Sequence, residues 1–279
     1  MKKQFKKGKS WIVLIGILLV FIAYIISQNN WIQVHRIEVK INNLPKGLQG
    51  LKIAQISDVH IPKNASSINN LIKKVRKENP DIIVMTGDII DRSANMKDPH
   101  LSEFCKGLSS ITDTYAVAGN HEVWSNNAEK WKEVLYANNI KVVENKIEIY
   151  EKNNDKLAIM GLEDDSSYSY KYFNNIETVK DIPKVLLAHR PELFSTYYSD
   201  SNSIKPDLVF SGHAHGGQFR VPFFNNGIVA PDQGFFPKYT SGVYTSNNRV
   251  QMIVSRGLGN SIIPIRLNNR PHLPVIELK

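Results

Sequence analysis

The stretch Leu208-Val209-Phe210-Ser211-Gly212-His213-Ala214-His215-Gly216-Gly217 decides how this chain is read. A short apolar run, suited to a buried strand, gives way to a glycine, two histidines at alternate positions and a glycine pair. In extended backbone, alternate side chains share a face, so His213 and His215 are aimed together. Four more apolar runs end in the same way. Residues 51–56 lead into Ser57-Asp58-Val59-His60, and residues 82–85 into Thr86-Gly87-Asp88-Ile89-Ile90-Asp91. Residues 115–118 lead into Gly119-Asn120-His121-Glu122, and residues 185–188 into His189. Ligands of open α/β sheets bind outside the carboxyl ends of the strands, so these five loops are expected to meet.

Between the runs, helical spacing links Ile68, Leu71, Ile72 and Val75, then Leu101, Phe104, Cys105 and Leu108, then Trp131, Val134 and Leu135. Asn79-Pro80 stops the first of these helices. Further on the period changes. Residues 146–150 and 157–160 flank Asn153-Asn154 as the arms of a hairpin would, and residues 244–254 repeat the pattern around Asn247-Asn248. Residues 275–278 form a last strand, and no repeat of solenoid or propeller length occurs. The pattern implies one α/β domain of mixed sheets layered with helices, over residues 51–279.

The chain has 279 residues, 42% hydrophobic and 22% charged, which excludes a chain dominated by disorder. Its single cysteine, Cys105, excludes an internal disulfide framework and a cysteine-cluster metal site. The net charge of +9 owes five units to Lys2, Lys3, Lys6, Lys7 and Lys9, which leaves residues 36–279 at only +4. No nucleic-acid partner is expected from so mild an excess.

Behind those lysines lies an uncharged apolar run, residues 11–26. As a helix it reaches about 24 Å, and Ser27, Gln28 and the indoles of Trp11 and Trp31 extend it into the membrane interface. A cleaved signal would end in a small-x-small site, whereas this run exits through Ile25-Ile26-Ser27-Gln28-Asn29-Asn30. The expected plan is a cytoplasmic lysine-rich tail at 1–10 and a single transmembrane anchor at 11–27. A linker with a first strand follows at 28–50, and the 51–279 domain lies on the extracytoplasmic side of the cell membrane.

The converging loops carry Asp58, His60, Asp88, Asn120, His121, His189, His213 and His215. Imidazole and oxygen donors without thiolates suit Mn, Fe or Zn. With one residue set aside for catalysis, the remainder are too many for one tetrahedral ion, and two divalent ions sharing a carboxylate account for the number. Such a pair clamps a phosphoryl group and presents a hydroxide in line. Each short motif alone is commonly a turn or a cap. Five of the eight histidines in this series, each just past a buried run, are not explained by packing. His35, His100 and His272 lack that context and read as surface or loop residues.

The ordered series Asp58-x-His60, Gly87-Asp88, Gly119-Asn120-His121-Glu122, His189 and Gly212-His213-Ala214-His215 resembles the calcineurin-like metallophosphoesterases over residues 51–217. The resemblance implies a mixed β-sandwich flanked by helices. It implies one ion held by Asp58, His60, Asp88 and His215, and a second held by Asp88, Asn120, His189 and His213. His121 would face the leaving group or the phosphate oxygens, and Asp91 and Glu122 would orient neighbours. His189-Arg190-Pro191-Glu192 and Gly257-Leu258-Gly259-Asn260 with Pro264-Ile265-Arg266 resemble the bacterial membrane-associated phosphoesterases. That branch includes wall-associated phosphodiesterases and hydrolases of UDP-2,3-diacylglucosamine. Some of its members carry twin-arginine signals. Here only lysines precede the apolar run, so Sec-type insertion is expected.

The implied activity is hydrolysis of a phosphodiester or pyrophosphate, lipid- or nucleotide-linked, with an envelope-linked phosphate ester as partner. Gly87-Asp88-Ile89-Ile90-Asp91-Arg92 also resembles the Ser/Thr protein phosphatases, although Ser93 and Ile61 stand where that branch has glycine. A non-catalytic, metal-stabilised surface or lipid-binding module is the reading from another class. Arg190, Arg220, Arg256 and Arg266 are candidate phosphate contacts. Phe219, Phe223, Phe224, Phe235 and Phe236 either finish the core, the expected case for aromatics, or form a rim for lipid.

Overall fold

The computed structural model describes residues 2–61, 65–164, 173, 176–199, 205–222, 226–260 and 265–279. Phe223, Phe224 and Pro264 lie outside them. The chain begins with one continuous helix, α1 (Lys2–Asn30), longer than the 11–27 anchor expected. Its apolar portion, Ser10–Asn30, is 21 residues, about 30 Å, enough to cross a membrane by length and composition.

The strand β1 (Gln33–Val39) follows, then β2 (Lys52–Ile56), α2 (Ala65–Glu78), β3 (Ile82–Thr86) and α3 (His100–Ser109). Next come β4 (Thr114–Val117), α4 (Asn120–Trp124), α5 (Ala128–Ala137), β5 (Lys141–Val142), β6 (Ile147–Lys152) and β7 (Asp155–Gly161). The second half holds β8 (Lys184–Leu187), α6 (Phe194–Tyr197), β9 (Leu208–Ser211), β10 (Val229–Ala230), β11 (Gly234–Phe235), β12 (Gly242–Thr245), β13 (Gln251–Val254) and β14 (His272–Leu278).

Two six-stranded sheets face each other, in the orders β1-β14-β2-β3-β4-β5 and β12-β13-β9-β8-β7-β6. Both faces of each sheet are covered, which is why the strands read as unbroken apolar runs. Alternate residues divide between layers. Ile82 and Val84 enter the core between the sheets, whereas Ile83 and Met85 face the layer beneath α2, α3 and α5. In the second sheet Leu208 and Phe210 point into the shared core and Val209 into the outer cluster with Phe194 and Tyr197.

Both expected hairpins form. β6 and β7 pair antiparallel, with Asn153 and Asn154 at φ 52° and 66°, the two left-handed positions a type I′ turn requires. β12 and β13 pair around residues 246–250. β1 runs parallel to β14 from Gln33↔His272 to Val39↔Leu278, so the first sheet takes in residues well before 51. That pairing buries His272 completely, which corrects its reading as a surface or loop residue. Its Nδ1 accepts the Arg256 N–H at 3.3 Å. Burial first, then the nearby Arg256 charge, holds His272 neutral, far below its ordinary pKa.

Phe210 is fully enclosed between the sheets, so Phe210→Ala is expected to cost about 3–5 kcal/mol. Phe235→Ala, at a side chain 76% exposed, is expected to stay within about 0.5 kcal/mol. Denaturant midpoints of the detergent-solubilised protein, followed by circular dichroism, check both.

Candidate metal centre

The carboxyl ends of β2, β3, α4's preceding strand β4, β8 and β9 meet at one rim of the sandwich, and all eight candidate residues gather there. None is more than 8% exposed. The loops after β2 and β3 run side by side. Asp58 N–H donates to Gly87 O at 3.0 Å, His60 N–H to Asp88 O at 3.1 Å and Ile61 N–H to Ile89 O at 2.8 Å. Asp58, His60, Asp88, His213 and His215 all take left-handed φ, between 46° and 64°. Non-glycine residues adopt this region at a cost, and such strain concentrates at functional sites. Close approach explains the flanking glycines. A Cβ on Gly119 would stand 2.3 Å from Asp88 Oδ1, and one on Gly212 1.9 Å from Ser57 Oγ.

The Glu122 carboxylate fastens these loops together. It accepts Asp88 N–H at 2.8 Å, Ile90 N–H at 2.9 Å and Gly119 N–H at 2.7 Å. Burial and the neighbouring Asp88 push its pKa up to about 8, against the pull of those N–H donors. Gln55 seals the floor by donating to Thr86 Oγ1 at 3.0 Å and across the sheets to Ser211 O at 2.8 Å.

Two donor clusters share Asp88. Asp58, His60, Asp88 and His215 form one, and Asp88, His189 and His213 the other. In the first, His60 Nε2 and His215 Nε2 face each other at 3.3 Å, with Asp88 Oδ2 3.9 Å from the former and Asp58 Oδ1 3.6 Å from the latter. Burial holds both imidazoles below their ordinary pKa, so both keep lone pairs to offer. In the second, His189 Nε2 lies 3.4 Å from Asp88 Oδ1 and 3.1 Å from Asn120 Oδ1. His189 Nδ1–H donates to Thr86 O at 2.7 Å, which orients the ring. Burial would lower its pKa, but Asp88 overrides this and raises it to about 10, so the pocket attracts positive charge.

Asp58 Oδ2, His60 Nδ1 and His213 Nδ1 are buried without a hydrogen-bond partner among the described residues. Buried polar atoms are normally satisfied, so orphans within clustered oxygen and imidazole donors fit a cation site. His121 adjoins the first cluster, where it groups with His60 and Asp91. Arg92 N–H donates to its Nδ1 at 3.1 Å, so the neutral ring carries its proton on Nε2, which lies 4.0 Å from Asp88 Oδ2. Asp91 Oδ2 lies 3.2 Å from the same Nδ1.

Residues 51–217 match the family model of the calcineurin-like phosphoesterases. The chain belongs to that family. It is a metallophosphoesterase, of a family that binds a dinuclear metal centre. A metallophosphoesterase of Bacillus subtilis (strain 168), YkuE, is 28% identical over all of this chain and 97% of that protein. The phosphodiesterase YaeI of Escherichia coli (strain K12) is 26% identical, over 81% of this chain and 82% of its own length. A transmembrane protein with a metallophosphoesterase domain from Danio rerio is 27% identical, over 87% of this chain and 56% of that protein.

In this phosphoesterase, several polar residues bear on the site without having been legible in the motifs. Asp232 Oδ2 accepts His213 Nε2–H at 3.0 Å, which leaves the lone pair of the neutral ring on Nδ1, and His213 groups with Asp88 and His189. Asp232 also pairs with Arg190, whose Nε donates to Asp164 Oδ1 at 2.7 Å. Asp164 follows β7, which runs parallel to β8, so its loop reaches the same rim; a hairpin reading hides that. The candidate arginines are differently employed. Arg266, fully buried, donates to the carbonyls of Arg256 and Gly259, and Arg220 donates to Gly216 O. Arg256 reaches Gln33 Oε1 at 2.7 Å. These three serve the scaffold rather than an open phosphate cradle. Phe235 and Phe236, each 76% exposed, do not finish the core, which corrects that expectation.

Glu122→Ala leaves three buried N–H groups without an acceptor, at about 1–3 kcal/mol each. A loss of at least about 3 kcal/mol is expected in denaturant unfolding, with Glu122→Gln intermediate. A loss below about 1 kcal/mol contradicts the fastening role.

Proposed function

We propose that this chain is a membrane-anchored hydrolase of phosphodiesters or pyrophosphates whose seven buried donors hold two divalent ions across Asp88. The observation that carries the reading is the division of that carboxylate. Its Oδ2 faces the His60 side and its Oδ1 the His189 side. Asp58, His60, Asp88 and His215 hold one ion, and Asp88, Asn120, His189 and His213 the other. The donors suit Mn, Fe or Zn. When bound, such ions neutralise phosphoryl charge and acidify water.

The chain's own residues do the rest. His121 stands at the edge of the His60 cluster with Nε2 4.0 Å from Asp88 Oδ2, and as an imidazolium it donates the Nε2 proton to a departing ester oxygen. Asp91 stands beside the His121 ring, and Thr86 and Asp232 fix the tautomers of His189 and His213. The name of the Escherichia coli relative favours diesters over the phosphomonoesters of a protein phosphatase. The lysine-rich tail, the exposed apolar helix and the Danio rerio relative support a single membrane anchor, with the catalytic domain outside the cytoplasm.

Asp88→Asn is expected to abolish turnover of an aryl phosphodiester and to lower the content of both metals, as measured by elemental analysis. His121→Gln should keep both metals and lose about 10²–10⁴-fold in rate, with a larger loss for alkyl than for p-nitrophenyl esters. Equal losses for both leaving groups point to charge stabilisation instead of proton donation. On topology, protease added to spheroplasts should digest the domain. Protection until lysis reverses the orientation.

A further inference from the structure

The anchor helix does not hang as a free tether. Tyr24 Oη donates to Asn268 Oδ1, and Asn29 bonds both the N–H and the carbonyl of one domain residue, Arg266. Arg266 N–H donates to Asn29 Oδ1 at 2.9 Å, and Asn29 Nδ2–H donates to Arg266 O at 3.3 Å. Asn260 Nδ2–H reaches the same Oδ1 at 3.4 Å. Beyond the helix, Arg270 donates to Trp31 O at 3.0 Å and lays its guanidinium 4.8 Å over the Trp31 ring. Such a set of contacts fixes the domain's height against the helix.

Beneath these contacts runs a groove of about 450 Å³, walled by Phe21, Ile22, Ile25 and Ile26 of α1 and by Phe219, Ile265 and Leu267 of the domain. Every described residue lining it is apolar. Phe21 to Ile26 lie five to ten residues before Trp31, about 8–15 Å down the helix axis. With Trp31 at the headgroup level, the groove opens where headgroups give way to hydrocarbon. An apolar groove there is poorly filled by water and well filled by an acyl chain. The exposed Phe235-Phe236 pair borders the same wall, since Phe236 N–H donates to Ile228 O and Ile228 N–H to Phe219 O, at 2.9 and 2.8 Å. At the other end, Ile265 adjoins Arg266, whose Nη2 lies 3.5 Å from His215 Nδ1. One side chain therefore separates the groove wall from the metal cluster.

We infer that this groove holds one acyl chain of a membrane lipid and that the phosphoester hydrolysed is carried by such a lipid, entering sideways from the bilayer. The inference rests on the phosphoesterase reading and on the anchor. The reaction is plain hydrolysis. A water oxygen bonds to phosphorus, the ester P–O bond breaks, and its oxygen leaves as an alcohol after taking a proton.

The test uses the full chain in phosphatidylglycerol nanodiscs containing a phosphatidylglycerol probe with a diazirine on its acyl chain. Photoadducts are expected on peptides bearing Phe219 and Ile265–Leu267 as well as on α1. Ile265→Trp, or Ile22→Trp on the helix wall should the first variant fail to fold, fills the groove and should cut the domain adducts about tenfold. The same variants should lower, about tenfold, the ratio of turnover between a diacylglycerol p-nitrophenyl phosphodiester in vesicles and bis(p-nitrophenyl) phosphate in solution. The leaving group is common to both, so the ratio reads the lipid part alone. Adducts confined to α1, protein–protein adducts from a second copy, or an unchanged ratio overturn the groove assignment while the phosphoesterase reading stands. If neither ester is hydrolysed with any divalent metal, that reading falls, and the adduct pattern alone decides the groove.

Discussion

Two carboxylates buried side by side, Asp58 at 0% and Asp88 at 1% exposure, are the constraint around which this protein is organised. Charge removed from water is costly unless it is paired and hydrogen-bonded. Asp58 Oδ1 accepts His213 N–H and Asp88 Oδ1 accepts His121 N–H, both at 2.9 Å, so each carboxylate is tied to a different loop. Those bonds require the loops to bend sharply at the ends of the strands. The left-handed backbone at five candidate residues, the close-packed glycines and the three N–H groups on Glu122 all serve that bend. The sandwich makes it affordable, because two apolar layers hold the strand ends rigidly against each other.

Much of this was legible in the sequence because its physics is local. The alternation of layers in residues 82–85 and 208–210 follows from the period of two, and the Asn153-Asn154 turn from the left-handed preference of asparagine. The eight candidate residues could be named because each follows directly on a strand. What stayed hidden is what depends on distant partners. His272 is buried only because β1 pairs with β14 across most of the chain. Asp232 matters only because the β10–β11 turn brings it under His213. Phe235 and Phe236 carry core-type side chains on a two-residue strand and the bend after it, where no second layer among the described residues covers them.

Under the proposed anchoring, α1 gives the enzyme a further property. A flexible linker would let the domain sample any height above a membrane. Asn29, Tyr24 and Trp31 instead hold the 265–270 segment against α1, and the same segment places Arg266 beside His215. The contacts to α1 and the scaffold of the candidate donor cluster thus share residues. Helix and rim are parts of one arrangement, in which Arg266 contributes hydrogen bonds to both sides.

The central claim is that the rim holds two ions on either side of Asp88. Anomalous diffraction from crystals of the manganese-loaded protein, collected at the metal edge, tests it most directly. The account requires two peaks flanking the Asp88 carboxylate, one among Asp58, His60 and His215 and the other among Asn120, His189 and His213. A single peak, or two peaks with Asp88 turned away from one of them, contradicts it.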